Sequence, residues 1–191
     1  MTEDIFDNDI EPCLKLLHAG GVILYPTDTV WGLGCDATNE AAVKKIIDIK
    51  HRADSKSFVV LAASEKDILQ YTASPDLSVF DYLQQTEKPT TVIYDHAIGL
   101  AENVIAADGS VAIRICNDAF CKTLIKRFRK PIVSTSANIS GEPTPAVFNE
   151  INNAIKNAVD YVVGYKQNIT EPATASSIIR WRNGQAEIIR K

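Results

Sequence analysis

No apolar run in this chain approaches the roughly 20 residues that a membrane-crossing helix needs, so a helical membrane span is excluded. The cysteines, Cys13, Cys35, Cys116 and Cys121, form no CxxC pair, and the histidines, His18, His51 and His96, are scattered. That spacing fits no common zinc pattern and leaves reduced, buried thiols as the expectation. Charge of one sign is also lacking. The formal net charge is −4, which argues against wholesale electrostatic binding of nucleic acid while leaving room for a local basic patch. There is no internal repeat, charge block or long linker. The acidic start, "MTEDIFDNDIEP", lacks the basic and apolar regions of a signal peptide, so the cytosol is the expected compartment.

The rest is ordinary for a soluble globular protein, with 46% hydrophobic and 23% charged residues over 191 positions. That length predicts one domain, residues 1–191, large enough to bury a substantial core. Helix-like and strand-like patterns alternate. "EPCLKLLHAGG" reads as an amphipathic helix stopped by Gly20 and Gly21, and "TNEAAVKKIIDIKHR" as a helix capped by Thr38 or Asn39. "SEKDILQY" suggests a capping box from Ser64 to Asp67. "SPDLSVFDYLQQ" suggests a helix capped by Ser74, with Pro75 at its first position. "NDAFCKTLIKRFRK" and "NEINNAIKNAV" are further helices. Strands are expected at "VILYPT", "FVVLAA", "TTVIYD", "VAIRIC", "PIVSTSAN" and "YVVGY". Asn183-Gly184 marks a terminal hairpin in "SSIIRWRNGQAEIIRK". The expected class is α/β, a mixed sheet with helices packed on it.

Four stretches carry candidate chemistry. In "LYPTDTVWGLGCDA", Gly32, Gly34 and Ala37 spell a dinucleotide fingerprint, G-x-G-x-x-A. The first glycine comes six residues after Pro26, however, whereas that fingerprint starts directly after its strand. The glycines are therefore read as permitting tight turning or close approach to a ligand. In "KHRADSK", Lys50, Arg52 and Lys56 form either a solvated basic helix end or a phosphate clamp. In "IVSTSANISGEPTP", Ser134, Thr135, Ser136 and Asn138 form either a polar cap or a set of small donors suited to phosphate and ribose. In "SVAIRIC", Arg114 shares a face with Ala112 and Cys116 and meets either solvent or a carboxylate ligand. No nucleophilic triad and no acid–base pair of carboxylates stands out. Cations and hydroxyls dominate, which suits binding and orienting polyanions.

In that order, "YPTDTVWGLGCDA", "KHR", "VAIRI", "STSANISGEPTP" and a terminal serine strand with an arginine resemble the YrdC/Sua5 family, from about Gly21 to Arg190. The resemblance implies an open, twisted mixed sheet around a concave positive cleft. It also implies an L-threonylcarbamoyladenylate synthase activity: L-threonine, bicarbonate (or CO2) and ATP condense with release of pyrophosphate. A separate transferase complex would use the product to make N6-threonylcarbamoyladenosine at tRNA position 37. By the same resemblance, Lys50 and Arg52 act at the ATP phosphates and carry the catalysis. Lys56, Ser110, Ser136, Asn138, Thr144 and Arg190 contact ATP. Thr29, Arg114, Ser134 and Ser176 surround the threonine, with Ser177 a close second to Ser176. Magnesium would arrive on the triphosphate, with no dedicated protein metal site. The chain departs from the family pattern at "SKSFVVL", at Leu61, at "EKPTT" and at "SSIIR", where members commonly read "STVVD". Direct contact with tRNA or double-stranded RNA, and a related enzyme with another substrate, are the alternative readings.

Overall fold

The computed structural model describes residues 6–51 and 58–191. Nine strands form one sheet: β1 Ile23–Tyr25, β2 Gly32–Gly34, β3 Val59–Ala62, β4 Thr90–Tyr94, β5 Val111–Ile115, β6 Ile132–Ser136, β7 Tyr161–Val162, β8 Ser177–Arg182 and β9 Gln185–Arg190. Their spatial order is β7-β1-β2-β6-β3-β5-β4-β8-β9. The β1/β7, β3/β5 and β4/β8 pairs are parallel and the others antiparallel. The helices are α1 Asp7–His18, α2 Glu40–Ile49, α3 Glu65–Tyr71, α4 Ser78–Gln84, α5 Ala119–Phe128 and α6 Asn153–Ala158. Among them, α1 packs on α5 and β1, while α3 and α5 pack on β3. The apolar residues Val60, Val92, Ile113, Val133 and Ile179 are buried. They alternate with the residues of the opposite sheet face, as the two-residue period of a strand requires.

The alternating pattern found eight of the nine strands. It missed β2, whose sequence Gly-Leu-Gly has too little apolar or β-branched content to signal a strand. Gly32 and Gly34 are thus sheet residues, not turn residues, and they do not lead from a strand into a helix. This disposes of the dinucleotide reading and corrects the tight-turn reading. Gly34 is needed for space: a Cβ there would lie 2.4 Å from Cε1 of Tyr25 and 3.0 Å from the Val133 carbonyl. Tyr25 is buried, and its hydroxyl donates to that same carbonyl at 3.2 Å. The ring therefore has nowhere to go. Gly34→Ala is expected to destabilise the fold by about 2 kcal/mol, the ordinary cost of overpacking. It would be read as a lower denaturant midpoint at unchanged slope.

Helix boundaries also moved. The first helix starts at Asp7 and runs through Pro12. It is anchored by Asp9, whose carboxylate accepts from the Tyr161 hydroxyl and from the Gly164 and Tyr165 backbone amides. Asn39, not Thr38, caps α2 by accepting from the Ala42 amide, and the helix ends at Ile49. Ser64 makes no side-chain cap; instead Asp67 reaches back to accept from the Ala63 amide. Ser74 has φ +51° and lies outside α4, whose first residue, Ser78, donates its amide to Asp76 Oδ1. The stretch read as one helix over residues 149–159 divides into a 3-10 turn, Phe148–Glu150, and α6, capped by Asn152. The terminal hairpin forms as expected. Asn183 and Gly184 both have positive φ, 52° and 71°, the geometry of a two-residue turn that follows the strand twist. All four cysteines are unbridged and buried, and burial pushes the Cys13 thiol up to about 12. No described helix is long and apolar enough to cross a membrane.

Candidate functional site

Strand register fixes which side chains share the open face of the sheet. Gly32 lies beside Ser136, Val59 beside both Ser134 and Ala112, and Leu61 beside Arg114. Thr91 lies beside Ile178, and Ile178 beside Arg190. The small residues Gly32, Ser134 and Ser136 leave room on this face, and a cavity of about 250 Å³ opens over the middle of the sheet. Thr29, Trp31, Arg114, Ser134, Ser136, Thr144, Ser176 and Arg190 are among the residues that line it. The four positions singled out for an amino acid and three of those singled out for a nucleotide, Ser136, Thr144 and Arg190, thus meet in one place.

Arg114 is only 4% exposed, so the solvent-facing reading is overturned. Its partner is a residue that the sequence reading passed over. Asp28 Oδ1 accepts from Arg114 Nη2 at 3.0 Å and from the Cys116 thiol at 3.2 Å, while Oδ2 accepts from the Asn117 amide at 3.0 Å. The same Arg114 Nη2 donates to the Thr29 hydroxyl at 3.1 Å. Thr29 is itself held by Thr27, whose Oγ1 accepts from the Thr29 amide and donates to the Val30 carbonyl. Arg114 Nε has no partner among the described residues. A buried arginine demands a carboxylate, and Asp28 directly precedes Thr29, already a candidate for the same amino acid. That requirement was the signal that could have found it.

The far wall is built by the hairpin. Ser176 shares a hydrogen bond of 2.9 Å with the fully buried Thr91. A register shift between Ile178 and Ile179 brings Arg190 level with Ile178. From there Arg190 Nε and Nη2 donate to the Ser176 carbonyl at 3.2 and 2.9 Å. Ser177 faces the other side, beside Thr90, so alternation selects Ser176 for the cavity. Tyr25 lies beneath this face, and burial holds its phenol far above the usual range. Leu61 is fully buried.

Lys50 occupies the C-cap of α2 and is 2% exposed. Its Nζ donates to the carbonyls of Ser136 and Asn138, and its own carbonyl accepts from the Ser140 amide. The helix end is thereby fastened to the turn after β6. Asn138 Nδ2 donates to the carbonyls of Ile139 and Glu142, while its Oδ1 has no partner among the described residues. Arg52 and Lys56 lie outside the described residues. Ser110 does not line the central cavity; it borders a separate hollow beside it.

Comparison with known proteins gives a consistent result. The Sua5/YciO/YrdC family model, described as "Telomere recombination", matches residues 15–191. A threonylcarbamoyl-AMP synthase of Saccharophagus degradans is 38% identical over 135 residues, 68% of this chain and 68% of the relative. Among solved structures, P. abyssi Sua5 complexed with L-threonine superposes with a TM-score of 0.85 at 22% identity, over 98% of this chain and 55% of that one. E. coli YciO superposes with a TM-score of 0.79 at 18% identity, over 96% and 89%. At these identities the superpositions establish the fold, and this chain spans little more than half of the Sua5 chain.

Proposed function

The chain belongs to the Sua5/YciO/YrdC family, and from that premise we infer that it is an L-threonylcarbamoyladenylate synthase formed by one domain. It would condense L-threonine, bicarbonate (or CO2) and ATP with release of pyrophosphate. The observation that carries this reading is Arg114, a buried guanidinium held by Asp28 and Thr29 at the edge of a cavity lined with small hydroxyls. Such a cation suits the carboxylate of an amino acid. Thr29, Ser134 and Ser176 offer the hydroxyls that an amino alcohol would need, and a site built to pair a hydroxyl rejects analogues lacking it.

The threonine amine would first take up CO2, and the resulting carboxylate would attack the α-phosphate of ATP as pyrophosphate leaves. Attacking anion and triphosphate repel each other, so the surrounding cations supply the electrostatic help. Arg190, Arg52 and Lys56 are assigned to the phosphates, with Ser110, Ser136, Asn138 and Thr144 as nucleotide contacts. Lys50 is assigned to shaping the Ser136–Asn138 turn, because its ammonium is engaged with two carbonyls there. Magnesium would arrive bound to the triphosphate. The product would pass to a cytoplasmic transferase that modifies tRNA.

Pyrophosphate release from ATP and bicarbonate tests the assignment. Release is expected with L-threonine, weaker release with L-serine and none with L-alanine. Folded, ATP-binding protein that releases none with any of the three would overturn it.

A further inference from the structure

The hollow beside the central cavity, about 360 Å³, is walled by Ile93, Ala106 and Ala112 and edged by Ser110, Asp108 and Arg180. Register places Arg180 on the same open face of the sheet as the central cavity. Ile93 lies beside both Ala112 and Arg180, and Ile178, two residues before Arg180, lines that cavity. Ser110 precedes Ala112 by two residues and shares its side of the strand. Arg180 lies four residues beyond Ser176 along extended chain, roughly 13 Å. The open face therefore carries cationic side chains well beyond the amino-acid end, running out along β8.

The Arg180 side chain is 19% exposed, and its Nη2 donates to Asp108 Oδ2 at 3.2 Å and to the Ser110 hydroxyl at 3.4 Å. Asp108 Oδ1 accepts from the Ser110 hydroxyl at 2.6 Å and from the Ser110 amide at 3.1 Å. One carboxylate thus collects a hydroxyl, a backbone amide and a guanidinium, a donor set that suits phosphoryl oxygens equally well. That carboxylate is 56% exposed, and pairs with a solvent-facing partner contribute little to stability. It is held weakly enough to be exchanged. The bonds from Ser110 and Arg180 hold its carboxyl down at about 2, so it stays charged at working pH. A charged tenant competes with any incoming anion.

We propose that Arg180 and Ser110 form a phosphate subsite at the outer end of the open face, which Asp108 occupies until a phosphoryl group displaces it. The arriving group is a phosphate of the nucleotide or the pyrophosphate released from it. This rests on the nucleotide-using reading above and extends it: Arg180 stands where the family pattern commonly has an aspartate, so the subsite belongs to this chain's own sequence. A purely structural Arg180–Asp108 pair and an anion site with a resident competitor make opposite demands on Asp108.

Calorimetric titration of ATP and, separately, of sodium pyrophosphate into wild type, Arg180→Ala and Asp108→Asn tests this. Arg180→Ala is expected to weaken binding by about tenfold, and Asp108→Asn to tighten it by roughly threefold or more, as a competing charge is removed. An effect on ATP assigns the subsite to the nucleotide. An effect on pyrophosphate alone assigns it to the leaving group. Unchanged affinities in Arg180→Ala, or weaker binding in Asp108→Asn, would overturn the proposal. Wild-type protein that binds both ligands yet shows no threonine-dependent release would count against the synthase reading alone, because the titrations need no turnover.

Discussion

Replacing Arg114 by glutamine is expected to lower kcat/KM for L-threonine by at least about a hundredfold, because truncating one partner of a buried charge pair costs roughly 2–5 kcal/mol. The loss should appear mainly as a raised KM for threonine, with ATP binding within about twofold of wild type by calorimetry. The physical reason lies in the Asp28–Arg114–Thr29 cluster. Asp28 fixes the guanidinium with one carboxylate oxygen while its other oxygen is tied to the Asn117 amide, so the arginine is pre-oriented before any ligand arrives. Glutamine keeps some volume and polarity but leaves Asp28 as a nearly buried carboxylate, 9% exposed, held by the Cys116 thiol and the Asn117 amide among the described residues. Stability is therefore expected to fall as well, by about 3–5 kcal/mol, as for other half-removed buried pairs. The Arg114→Gln/Asp28→Asn double variant separates the two effects. It removes the stranded charge and should recover much of the denaturation midpoint, but not the threonine affinity. A double variant with wild-type threonine KM would show that Arg114 is a structural arginine and not the amino-acid anchor.

Lys50→Met is expected to raise the KM for ATP by about tenfold or more and to lower stability by roughly 2–4 kcal/mol, since two charge-assisted hydrogen bonds to buried acceptors are lost. Methionine matches the lysine stem in length, so packing is largely conserved and the ammonium is what is removed. Without it, the carbonyls of Ser136 and Asn138 lose their shared donor, and the turn that carries both side chains loses its tie to the end of α2. A lysine acting directly on the reacting phosphates would give a different signature: a fall in kcat with the denaturation midpoint unchanged. Urea denaturation and steady-state kinetics on the same variant separate the two roles.

Local structure was legible in the sequence where one segment contains its own instructions. Asn183-Gly184 announced its hairpin because few other residue pairs accept two successive positive φ angles. Asn39 announced a helix start because its side chain can satisfy the Ala42 amide. Ser64 and Ser74 carried the same kind of signal and did not cap. Nearby carboxylates do the bonding instead: Asp67 accepts from the Ala63 amide ahead of the helix, and Asp76 accepts from the Ser78 amide. A capping residue competes with its neighbours, and sequence spacing does not say which one wins. The strand β2 was invisible because its glycines make room for other groups, Gly32 for Ser134 of the distant β6 and Gly34 for the ring of Tyr25 in neighbouring β1.

By itself the sequence determined the α/β class, most of the strands, the closing hairpin and a cast of cations and small hydroxyls suited to polyanions. It also determined the family, through motifs whose order spans nearly the whole chain. Only the tertiary structure decided how that cast is used. The insertion of β6 between β2 and β3 brings Ser134 and Ser136 beside Gly32 and Val59. The pairing of β4 with β8 delivers Ser176 to Thr91 and Arg180 to Ser110. Asp28 meets Arg114 across 86 positions, and Lys50 meets Ser136 across another 86. Local periodicity states which face of a strand is apolar, but strand order is a property of the whole sheet. The partner of a buried charge is set by that order, so Arg114 could be recognised as needing a carboxylate from its strand alone, while Asp28 could be chosen only by the fold.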